Sequence, residues 1–159
     1  MTILSWNVNG LRAVAKKGFI EWLGETGPDI LCLQEIKVQT DQLDESLLHP
    51  LGYYGHFNSA EKKGYSGVAT YTKEKPIAVK SGFGISKFDS EGRVLMTDHG
   101  DFLLFNVYFP NGKMRQERLD YKMEFYEEIL RYLDALKASG HKLVIRYEKT
   151  ISTSSIKTK

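Results

Sequence analysis

The sequence is poor in the features that stabilise small secreted proteins. It has one cysteine, Cys32, so no disulfide can form within the chain. That cysteine lies in the apolar run Ile30-Leu31-Cys32-Leu33, where a small buried thiol is expected rather than a reactive one. Charge of one sign is also lacking: 22 basic and 20 acidic residues leave a net charge of +2. Charge balance alone therefore does not point to a nucleic-acid partner, and any such argument must be local. Met1 to Asn7 run straight into a strand pattern without a charged leader and long apolar core, so a secretory signal is not expected and a cytoplasmic location is. No internal repeat is visible. With 42% hydrophobic and 26% charged residues over 159 positions, a globular domain with a real core is expected, with no membrane association.

Hydrophobic periodicity then sets the organisation. Thr2 to Trp6 reads as a buried strand, followed by helical spacing through Leu11, Ala15, Phe19, Trp22 and Leu23 that Gly27-Pro28 ends. Asp29 to Gln34 reads as a second apolar strand, and a right-handed β-α-β crossover makes the two parallel. Their C-terminal ends share a rim, placing Asn7 and Glu35 where α/β proteins bind ligands. Leu43, Leu47 and Leu48 suggest a short helix. Tyr53–Phe57, Val68–Thr72 and Ile77–Lys80 suggest strands, and His99-Gly100-Asp101 a hairpin turn between Arg93–Asp98 and Phe102–Phe109. Leu119, Met123, Tyr126, Leu130 and Leu133 form the stripe of a long helix capped by Gly140. Lys142 to Ile145 starts another strand, after which the sequence turns abruptly to Thr, Ser and Lys. Residues 1–145 thus read as one unit and 146–159 as a polar tail, disordered or out of frame.

Several residues admit two readings. Glu35 suits a magnesium ion, which keeps waters and needs only one or two carboxylates, or is a loop carboxylate paired with Lys37. Asn7 can orient a ligand through its amide or simply end a strand. Tyr108 can meet an anion from an otherwise apolar strand or be a packing tyrosine. Lys62-Lys63-Gly64-Tyr65-Ser66-Gly67 joins two cations to glycines that permit close approach to a polyanion, or forms a solvated polar hairpin.

Four segments, Trp6-Asn7-Val8-Asn9-Gly10-Leu11-Arg12, Leu33-Gln34-Glu35-Ile36-Lys37, Gly64-Tyr65-Ser66-Gly67-Val68-Ala69 and Asn106-Val107-Tyr108-Phe109-Pro110-Asn111-Gly112, occur in the order of the signatures of exonuclease III and related abasic-site (AP) endonucleases. Together they resemble the N-terminal part of that family, within the endonuclease/exonuclease/phosphatase superfamily. The resemblance implies a DNase I-like four-layer α/β/β/α sandwich of mixed α/β class. It implies a magnesium-dependent DNA phosphodiesterase of base-excision repair, with manganese a possible substitute, incising duplex DNA at abasic sites and removing nucleotides from 3′ ends. On this resemblance Tyr108 and Asn7 are catalytic, and Glu35 and Asn7 bind the metal. DNA contacts are assigned to Asn9, Arg12, Lys62, Lys63, Gly64, Tyr65, Ser66, Arg93 and Asn111. No obligate protein partner is implied.

In the family the strand matching Lys142 to Ile145 runs into a Gly-Asp-x-Asn motif, and a later Asp-His pair completes the active site. Here Arg146 and Tyr147 stand where the first motif should begin. The expectation is therefore a chain holding roughly one sheet, with the second largely missing, low stability and negligible catalysis. The competing function is a non-catalytic remnant that binds the DNA backbone weakly. Phosphatases and lipid phosphodiesterases of the superfamily share the Asn and Glu positions, but the Gly64 to Ala69 and Tyr108 to Gly112 segments favour the DNA-repair branch.

Overall fold

A computed structural model describes residues 1–112 and 115–147. The first sheet contains β1 (Ile3–Asn7), β2 (Ile30–Gln34), β3 (Tyr54–Asn58) and β4 (Val68–Thr72) in the order β1-β2-β4-β3. β1 and β2 are parallel, with Asn7 opposite Gln34, and β4 runs antiparallel to β2. The second sheet has the order β5-β6-β7-β8, from β5 (Ala78–Ser81), β6 (Val94–Asp98), β7 (Leu103–Val107) and β8 (Leu143–Tyr147). β7 and β8 are parallel because the 23-residue helix α5 (Gln116–Ala138) carries the chain back between them.

The layers follow from side-chain alternation along strands buried on both faces. Leu31 and Leu33 of β2 pack with Leu11, Phe19 and Leu23 from two short helices, α1 (Leu11–Ala15) and α2 (Phe19–Thr26). Leu103, Phe105 and Val107 of β7 pack with Phe125, Ile129 and Leu133 of α5. The alternate residues turn inward: Ile30 and Cys32 meet Leu104, and Val68 meets Leu95 and Tyr108. The expected α/β/β/α sandwich and mixed class are present.

The strand inventory differs from the expectation of one sheet. Two four-stranded sheets are present among the described residues, and their inner faces cover each other. Periodicity identifies strands but carries no information on which sheet each joins. The helical run from Leu11 is also divided, because Gly18 adopts a left-handed φ of 92° between α1 and α2. β8 continues through Arg146 and Tyr147, paired with Asn106 and Val107, since the ladder depends on backbone groups whatever the side chains. Two further short helices, α3 (Glu45–Leu48) and α4 (Ser86–Asp89), lie in the connections; α3 matches the expected leucine pattern. Residues 148–159 of the polar tail lie outside the described residues. No helix among the described residues is long and apolar enough to cross a membrane.

Candidate phosphodiester-binding site

Parallel pairing puts the ends of β1 and β2 together, and the antiparallel ladders bring the starts of β4 and β6 to the same rim. Gln34 pairs with Val68, and Val94 pairs with Val107. Asn7 and Glu35 therefore lie close to the Ser66-Gly67 turn, while Arg93 and Tyr108 lie on the facing sheet. Backbone bonds tie these ends together: Ile36 N donates to Gly67 O at 3.2 Å, Lys37 N to Ser66 O at 2.9 Å, and Tyr108 N to Arg93 O at 2.8 Å.

The rim backbone is strained. Asn9, Glu35, Lys37 and Ser66 have positive φ values of 46°, 57°, 52° and 52°. Such conformations cost non-glycine residues on the order of 1 kcal/mol or more each and cluster at functional sites. Among the described residues, the remaining non-glycine case is Leu51, in a connection.

Glu35 is partly buried, and its Oε1 lies 3.1 Å from Lys37 Nζ. Lys37 Nζ also donates to Asn9 Oδ1 at 2.6 Å, and Asn9 N donates to Asn7 Oδ1 at 3.0 Å. An ammonium thus already bridges carboxylate and amide oxygens. Tyr108 faces Glu35 from the other sheet. Burial, followed by the negative charge of Glu35, pushes its phenol up to about 12, while Arg93 opposes the rise. Tyr108 is therefore a neutral hydrogen-bond donor at physiological pH.

A hard divalent cation fits this donor set, because Glu35 supplies a carboxylate at a position that already holds a cation, and magnesium needs few protein ligands. Asn7 offers the adjacent amide. No group of three or more His, Cys, Asp or Glu side chains gathers as a metal cage among the described residues.

The basic loop lies beside the rim, with Lys62, Lys63 and Gly64 exposed and Lys62 over the Tyr65 ring at 5.3 Å. Ser66 is buried, and its hydroxyl lacks a hydrogen-bond partner within the protein. Arg12 is exposed on α1 and shares a surface hollow with Lys37. Asn111 is exposed beyond Tyr108. Arg93 differs from its expected place on the DNA backbone: it is 3% exposed and donates to Glu91, Tyr65 and the Tyr108 carbonyl. A guanidinium committed to three internal acceptors positions its neighbours instead of reaching outward.

Sequence reasoning did not reach Glu91 or Arg118, which are 27 positions apart and bonded to each other, Glu91 also accepting from Arg93, nor the inner pair Gln34 and Asn106, bonded at 2.8 Å between the sheets. Polar residues in apolar strands were the available signal for the second pair. Nothing in the local pattern marks the first.

The endonuclease/exonuclease/phosphatase family model matches residues 4–145. An exodeoxyribonuclease of Bacillus subtilis is 44% identical over 134 residues, which cover 84% of this chain and 52% of the relative. A DNA-(apurinic or apyrimidinic site) endonuclease of Dictyostelium discoideum is 40% identical, covering 87% of this chain and 39% of the relative. The chain spans about half the length of these curated relatives. Among solved structures, the Xenopus laevis APE2 catalytic domain superposes with a TM-score of 0.84 at 31% identity, over 97% of this chain and 60% of that one. A Neisseria 3′ phosphatase, NExo, bound to a product DNA hairpin gives 0.81 at 28% identity, over 92% and 56%. Sequence and fold thus agree, and the chain belongs to the endonuclease/exonuclease/phosphatase family, with relatives among exodeoxyribonucleases and AP endonucleases.

Proposed function

We propose that this rim is the phosphodiester-binding face of a magnesium-dependent DNA-repair nuclease, of the kind that incises at abasic sites and trims 3′ ends. The observation that carries the reading is the meeting of the Glu35 carboxylate with the neutral Tyr108 phenol across the two sheets. The names of the relatives support DNA as the substrate. A cytoplasmic location belongs to this reading.

Glu35 and Asn7 would hold the metal, which when bound polarises the scissile phosphate and stabilises charge on the leaving oxygen. Tyr108 donates a hydrogen bond to a nonbridging phosphate oxygen, its ring packed among residues of both sheets. Asn9 lines the entrance beside Lys37, and Asn111 supplies a second phosphate contact. Lys62, Lys63 and Arg12 attract the backbone, and Gly64 lets the chain approach it closely. Tyr65 adds a hydroxyl donor, while Ser66, 1% exposed, acts from beneath the loop, its carbonyl holding the turn to Lys37. Such contacts position a duplex without reading its sequence. Arg93 acts indirectly, by holding Tyr65 and Tyr108.

Binding of the 159-residue chain to a duplex carrying a stable abasic-site analogue tests the reading. Magnesium is expected to tighten wild-type binding, and Glu35→Gln to remove that response. An equal magnesium response in both proteins would refute the metal assignment. Incision is expected to be negligible because Arg146 and Tyr147 stand where the family's water-activating aspartate motif should begin. Efficient magnesium-dependent cleavage, abolished by Glu35→Gln, would refute that part. Salt-sensitive binding without a magnesium response would favour the non-catalytic remnant.

A further inference from the structure

A charged cluster lies between the Tyr65 loop and the start of α5. Glu91 Oε2 accepts from Arg93 Nε at 2.6 Å, and Glu91 Oε1 accepts from Arg118 Nη1 at 3.0 Å. The two guanidinium groups also converge on one oxygen: Arg93 Nη2 and Arg118 Nη2 donate to the Tyr65 hydroxyl at 3.0 Å and 3.2 Å. Arg93 Nη1 donates to the Tyr108 carbonyl at 3.1 Å. Aromatic faces complete the cage, with Tyr108 4.9 Å from the Arg93 guanidinium carbon and Tyr121 4.3 Å from that of Arg118.

Two arginines cannot be held together without compensation, and Glu91, whose side chain is 17% exposed, supplies it. Burial raises its carboxyl, but the hydrogen bonds and charges of Arg118 and Arg93 outweigh that and hold it below the usual carboxylate range. The consequence reaches Tyr65. A phenol has two acceptor positions and one hydrogen to donate. Both acceptor positions are filled by cationic N–H groups, and the internal acceptor within reach of its hydrogen is Glu91 Oε2, at a long 3.4 Å. Tyr65 is thereby polarised as a donor that an incoming anionic oxygen can capture.

We propose that Glu91 is a positioning residue. Its carboxylate aligns Arg93 and Arg118 against the Tyr65 oxygen, so that Tyr65 donates to a phosphodiester oxygen, and it fixes the Tyr108 backbone through Arg93. This rests on the DNA reading above. Simple charge counting gives the opposite expectation, because removing an acid beside bound DNA should tighten binding.

The test uses the 159-residue chain, Glu91→Gln, Arg118→Gln and the double variant. Affinity for the abasic-analogue duplex is measured by fluorescence anisotropy, and local opening by amide hydrogen exchange. Glu91→Gln should bind about tenfold more weakly, the scale of one charge-assisted hydrogen bond. Its exchange should quicken at residues 64–67 and at 108 and 109 while the β1–β2 ladder stays protected. The double variant should bind no more weakly than the weaker single variant, because both act through one clamp. Equal or tighter binding by Glu91→Gln, additive losses, or unchanged exchange in both segments would overturn the proposal. If Glu91→Gln fails to fold, Arg118→Gln breaks the clamp from its more exposed side and must show the same exchange change. If the wild-type chain does not bind the duplex, the DNA reading fails and the donor role falls with it, while exchange still decides whether Glu91 holds the two segments.

Discussion

Asn106 shows how a single polar side chain fixes the relation of the two sheets. From β7 its Nδ2 donates to Ala69 O at 2.8 Å and Leu33 O at 3.2 Å, while its Oδ1 accepts from Gln34 Nε2 at 2.8 Å. Gln34 Nε2 also donates to Ser5 Oγ at 3.0 Å. Apolar contacts between sheets are tolerant of sliding, whereas these bonds are directional. Asn106→Ala should destabilise the chain by about 3 kcal/mol, since buried polar partners left unpaired cost roughly 1–3 kcal/mol each. Urea unfolding would measure the loss, and an unchanged midpoint would show that the network is incidental. Asn7, Glu35 and Tyr108 were legible as candidates because each ends or follows an apolar strand in a recognisable motif. Arg93 was legible as a cation but not as a buried one, because sequence does not specify that Glu91, Tyr65 and the Tyr108 carbonyl converge on it.

At the scale of elements, the β-α-β opening, the β6–β7 hairpin and α5 follow closely from periodicity and turn residues. Gly100, with φ of 81°, turns the hairpin as its position between two strand patterns predicts. The break between α1 and α2 was less legible, since apolar residues keep helical spacing across Gly18. Gly55 reveals another constraint hidden in the chain. It lies in β3 beneath the end of α3, and a Cβ there would come within 2.0 Å of Leu48 O. Gly55→Ala must push α3 away from the sheet and should cost about 2 kcal/mol or more, the usual range for overpacking. A thermal midpoint within error of wild type would show that the α3 connection yields freely.

For the whole molecule, burial leaves a signature in alkali. Tyr53, Tyr71, Tyr108, Tyr121 and Tyr126 all have phenols pushed upward, primarily by burial, with Tyr108 reaching about 12 from an ordinary 10.0. The folded state therefore retains protons that the unfolded chain releases. Stability from these groups is fully present below the ordinary phenol value and is lost as pH rises through the folded values. Urea unfolding across this alkaline range should show a progressive decline, steeper than in a Tyr108→Phe variant. A flat profile would mean that the phenols ionise without opposing the fold.

The sequence by itself determined the family, the mixed α/β class, most strands and the identities of the rim residues, because these depend on motifs and on the period of apolar side chains. The tertiary structure decided how the strands divide into two facing sheets, since period-two alternation looks alike whichever sheet a strand joins. It also decided which charges face inward. Lys37 beside Glu35 and the clamp of Glu91 on Arg93 and Arg118 depend on strand ends and loops meeting at one rim, and such convergence is set by packing, not by the order of residues along the chain.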